Sequence, residues 1–81
     1  MKILHYNLTA VNNTKNVIDR RKYYNYKTAN KGFQFYKNLY EGDICTIQLT
    51  KVYKDLFGFN EEIIKCTEKE KVGTTWFRGD L

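Results

Sequence analysis

The stretch from Lys2 to Val11 sets the terms for the fold. Leu4, Tyr6, Leu8 and Ala10 fall on one side and His5, Asn7 and Thr9 on the other, a period of two that fits an extended strand with one buried face. Ile44 to Tyr53 repeats the pattern, with Cys45, Ile47 and Leu49 against Thr46, Gln48 and Thr50. Such strands, in a chain of 81 residues, leave room for one modest core, because a chain this short buries only roughly 60–65% of its unfolded surface. One compact domain over residues 1–81 is expected.

Between these strands the pattern is less regular. Asn12-Asn13 breaks the first alternation, and Asn13 or Thr14 can cap a short helix or helical turn over Thr14 to Arg21, with irregular loop as the alternative. The aromatic runs Lys22 to Thr28 and Phe33 to Tyr36 flank Ala29-Asn30-Lys31-Gly32, and a left-handed Gly32 would make them a β-hairpin, the expected reading. The competing reading is a helix from Thr28 to Tyr40, since Ala29, Phe33, Tyr36 and Tyr40 also recur at helical spacing and Gly42 could end it.

Glu41-Gly42-Asp43 signals a turn into the second alternating strand, and Lys54 to Gly58 a turn out of it. Phe59 to Thr67 can then return antiparallel with Ile64 and Cys66 facing in, which would set Cys45 and Cys66 near each other as a reduced core pair or an occasional disulfide. After the solvated run Glu68-Lys69-Glu70-Lys71, residues 74–78 suggest a short closing strand with Trp76 or Phe77 plugging one end of the core. The expected fold class is β-rich α+β: a small twisted antiparallel sheet or partly closed barrel of five to six strands with one or two short helices. The string Leu39 to Ile44 is similar to a Tyr-Glu-Gly-Asp-Ile string of YopX-like prophage proteins, a match of five residues from which no role is carried over.

Charge is unevenly placed. The chain is +5 overall, yet residues 20–40 alone hold Arg20, Arg21, Lys22, Lys27, Lys31 and Lys37 and no acid. Tyr23, Tyr24, Tyr26, Phe33, Phe35, Tyr36 and Tyr40 are interleaved with them. Cations neutralise phosphates and flat rings stack on unpaired bases, so this stretch is the candidate interface: Arg20, Arg21, Lys22, Lys27, Lys31 and Lys37 on phosphates, with Tyr23, Tyr36 or Tyr40 stacking. The plainer account is that the rings build the core while the cations solvate its outside.

Signatures of chemistry are sparse. His5 is the single histidine, there is no serine, and the five glycines are scattered, which leaves no assembled nucleophile, base pair or phosphate loop. Two cysteines and one histidine cannot supply a conventional structural zinc site. Asp43, Asp55, Glu61 and Glu62 could meet around a metal, but they sit at turns and strand starts where acids serve solubility. A ribonuclease working through Arg20, Arg21 and Tyr23 is a minor alternative.

The expectation is therefore a protein that is not an enzyme and needs no cofactor or metal. Its partner would be single-stranded DNA or RNA, or a host nucleic-acid-handling complex. With no apolar run of membrane-spanning length and no signal-peptide core, a cytoplasmic location is expected. Richness in Asn, Lys, Tyr and Ile, all read from A/T-rich codons, points to a phage or other mobile element. The alternative function is an anti-defence inhibitor, of the anti-CRISPR or anti-restriction kind, that covers a host enzyme through the same residues. The basic charge argues against DNA mimicry.

Overall fold

The alternating N-terminal stretch forms β1 (Lys2–Asn12). A computed structural model describes residues 2–40, 45–68, 72–73 and 75–79, the last four in backbone only. After β1 come β2 (Val17–Tyr23), α1 (Tyr26–Leu39), β3 (Cys45–Asp55), β4 (Gly58–Cys66) and β5 (Thr75–Gly79). The strands form one antiparallel sheet in the order β2-β1-β3-β4-β5, with α1 against one face. The fold is thus β-rich α+β with a single helix and an open sheet. One helix falls within the expected one or two, and among the described residues the sheet is open rather than a partly closed barrel.

Thr14 to Arg21, expected as a short helix, is a turn followed by a strand. The Asn12 side chain decides this locally: its Oδ1 accepts from the Thr14 N–H (3.0 Å), the Thr14 hydroxyl (2.8 Å) and the Asn16 N–H (2.9 Å). Lys15 takes φ 65°, a left-handed torsion that no helix interior tolerates. The chain reverses and β2 runs back along β1, pairing Leu8 with Arg21 and Ala10 with Asp19.

The hairpin expected over Lys22 to Tyr36 is instead the end of β2, a two-residue link and the first turns of α1. Asn25 caps it, its Oδ1 accepting from Lys27 N–H at 2.8 Å and Thr28 N–H at 3.3 Å. Gly32 is a helical residue rather than a turn residue, and a packing need explains it. A Cβ there would stand 2.7 Å from Tyr23 Cζ and 3.1 Å from Leu8 Cδ2, so glycine lets the helix settle on β1 and β2. The helical face Ala29, Phe33 and Tyr36 then closes on Leu8, Ala10, Ile47 and Leu49 to make the core, edged by Tyr6, Tyr23, Tyr40, Cys45 and Ile64.

Register divides the other side chains between the helix face and the far face of the sheet. Leu8↔Leu49 and Ala10↔Ile47 face the helix, so Asn7↔Thr50 and His5↔Val52 face away and, past a bulge at Leu4, so does Lys2↔Lys54. Cys66 pairs with Gln48 on that far side, whereas Cys45 borders the core on the helix side. The two cysteines therefore lie on opposite faces, which corrects the expectation that they adjoin. The irregularity between Leu49 and Thr50 in the β3–β4 ladder causes the offset, since one extra residue flips every later side chain. The expected turn over 41–43 and the charge run at 69–71 lie outside the described residues, as do the Trp76 and Phe77 side chains.

Candidate nucleic-acid interface

Consecutive residues on a strand point to opposite faces, and that rule splits the basic stretch. Arg20 pairs with Thr9 and Lys22 with Asn7, so both lie on the far face and both are exposed. Arg21 lies on the helix side, its guanidinium carbon 5.9 Å from the Tyr36 ring centroid. Lys27 and Lys31, four residues apart and exposed, occupy the outer side of α1, while exposed Lys37 sits on its flank and last turn. The six cations form two patches on opposite sides of the molecule.

The three tyrosines expected to stack have structural positions. Tyr36 is 1% exposed, which leaves no ring face for a base. Tyr40 is half-buried, its ring 5.8 Å from that of Tyr36 and its hydroxyl 3.4 Å from Asp19 Oδ2. Tyr23 is half-buried beneath Gly32 at the core edge. All three rings thus contribute to the core or its edge.

The Tyr36 hydroxyl is buried without a hydrogen bond of ordinary geometry. Burial, reinforced by the nearby Asp19 carboxylate and opposed by Arg21, pushes its pKa up to about 12. Below pH 10 folded and unfolded chains both hold this proton. Between about 10 and about 12 only the folded chain does, so stability falls as pH rises across that window. Tyr36→Phe is expected to raise stability at neutral pH by about 1 kcal/mol, because it removes an unsatisfied buried group. It should also flatten the alkaline limb. Urea unfolding at pH 7 and pH 11 checks both, and a destabilised variant at pH 7 would show that the hydroxyl is satisfied in solution.

The far face holds residues that sequence reasoning passed over. Lys2 and Lys54 are register partners there, both exposed, and Tyr24, 76% exposed, sets its ring 6.3 Å from His5. Only the register brings Lys2 to Lys54. From Arg20 the margin runs past Lys22 and Tyr24 to this lysine pair.

Acids do not offset it. Glu61 on this face is 5% exposed, its Oε2 accepting from the Thr50 hydroxyl at 2.6 Å and Asn7 Nδ2 at 3.2 Å. Glu68 accepts from the Thr46 hydroxyl at 2.5 Å, and Asp55 is bonded within its own turn. Glu62 pairs with Lys51 at 3.2 Å on the helix side, opposite in facing to Glu61. The metal grouping considered above is therefore not assembled: Glu61 and Glu62 diverge, and Asp43 lies outside the described residues. Among the described residues no three His, Cys, Asp or Glu side chains gather as metal ligands, and no helix is long and apolar enough to cross a membrane.

Comparison with known proteins yields no match to this chain among family models, curated proteins or solved structures.

Proposed function

We propose that the protein works by binding single-stranded nucleic acid along the far-face margin, with Arg20, Lys22, Lys2 and Lys54 on phosphates and Tyr24 offering a ring to a base. One observation carries this reading. Along the margin the cations are exposed and have no ion pair among the described residues, while every described acid is already engaged inside the protein. Four exposed cations along one margin carry local positive charge whose complement is a polyanion.

The exposed ring of Tyr24 favours a single strand over a duplex, because an unpaired base is free to lie on it. Lys27 and Lys31 lie beyond the helix, on the other side of the sheet, and are not assigned to this site.

The test is fluorescence anisotropy of labelled single-stranded DNA, single-stranded RNA and duplex DNA at two salt concentrations. Single strands are expected to bind with micromolar or tighter affinity that falls steeply with salt. No binding at low salt would sink the proposal and transfer the same residues to a protein interface.

A further inference from the structure

We infer that the tip of the β3–β4 hairpin is a base-stacking platform that receives one end of the strand on the far-face margin, an inference that rests on the nucleic-acid reading above. Leu56 and Phe57 form this tip, 99% and 81% exposed. Tight turns ordinarily carry Gly, Asn, Asp or Ser, whose torsions and hydrogen bonds suit the bend. Here two large apolar side chains stand in water instead.

The support beneath them is fixed. Asp55 Oδ1 accepts from the Phe57 N–H at 2.8 Å, and its Oδ2 accepts from Asn60 Nδ2 at 3.0 Å. Gly58 takes the φ of 120° that closes the turn. The backbone that carries the ring is thus ordered before contact, which lowers the cost of binding.

Continuity and charge identify the occupant. Lys2 and Lys54 stand directly behind the tip and line one recess with Asp55 and Leu56, so the positive margin leads into it. From Thr9, opposite Arg20, to Lys2 is seven residues, about 23 Å of strand. That length accommodates on the order of four phosphates of an extended strand. A longer oligonucleotide brings its terminal base to Phe57, whose flat, exposed ring accepts it without regard to sequence.

The experiment uses an octadeoxyadenylate carrying 2-aminopurine at its 5′ end, and a second carrying it at the 3′ end. Each is titrated with the wild type, Phe57→Ala and Phe57→Trp, after melting curves establish that all three fold alike. The wild type is expected to change the fluorescence of one end and leave the other. Phe57→Ala should abolish that change and weaken binding about tenfold, with the salt slope intact because no cation is removed. Phe57→Trp should keep both the signal and the affinity. Binding of Phe57→Ala with wild-type affinity and an unchanged fluorescence response would overturn the platform while leaving the margin standing. A wild type that binds neither oligonucleotide at low salt would remove the margin, and the platform with it.

Discussion

A double variant Arg20→Glu, Lys22→Glu is expected to bind a single-stranded octanucleotide on the order of 100-fold more weakly than the wild type at low salt. Both side chains are exposed on the far face of β2 and neither is in an ion pair among the described residues, so the exchange should leave the fold near its original stability. Each phosphate contact on a single strand contributes about 0.7 to the slope of log affinity against log salt, and losing two should make the slope shallower by about 1.4. The control is Lys27→Glu, Lys31→Glu on the outer side of α1, which changes net charge by the same amount. It should weaken binding by less than about threefold, through the long-range field alone. Equal losses from the two variants would mean that net charge, and not the margin, governs binding.

The two pairs are separated in space by a choice the sequence makes poorly visible. Arg20, Arg21 and Lys22 are consecutive, and once they are known to lie on a strand their alternation is automatic. Recognising the strand is the difficulty. β2 is an edge strand with its residues mostly exposed, so neither face imposes apolar periodicity, and its existence depends on the ladder to β1. β1 and β3 are legible for the opposite reason: each buries one face against α1, and burial writes period two into the chain.

The helix was obscured by competing signals. Its tyrosines and phenylalanines carry strand propensity, and Gly32 resembles a turn residue until the approach to Tyr23 and Leu8 explains it. Helical spacing at Ala29, Phe33, Tyr36 and Tyr40, together with the Asn25 cap, outweighs both because it lets one face close the core. The same geometry buries Tyr36 and removes it from the proposed interface. Composition placed cations and rings in one stretch, and only register and burial show that its exposed rings and buried rings are different residues. Lys2, Lys54 and Phe57 lie far from that stretch in sequence and join its margin through pairing alone.

Glu61 and Glu62 make the same point in energy. Glu61→Ala is expected to destabilise the protein by about 3 kcal/mol, whereas Glu62→Ala should cost less than about 1 kcal/mol. The Glu61 carboxylate is buried, and one of its oxygens accepts from both Thr50 and Asn7, residues on the two adjacent inner strands, β3 and β1. Those donors are themselves buried, at 2% and 5% exposure. Deleting the acceptor strands the Asn7 amide in a site closed to water and opens a cavity beside Val52 and Ile63. Glu62, one residue on, faces the other way in a partly solvated pair with Lys51, where water replaces the lost partner. Glu61→Gln retains an oxygen that both donors can reach and should recover most of the loss. Urea unfolding of the three variants gives the comparison. If Glu61→Ala proved no more costly than Glu62→Ala, the buried hydrogen bonds from Asn7 and Thr50 would not be part of what fixes the register of β1, β3 and β4, and the far-face margin that depends on that register would lose its support.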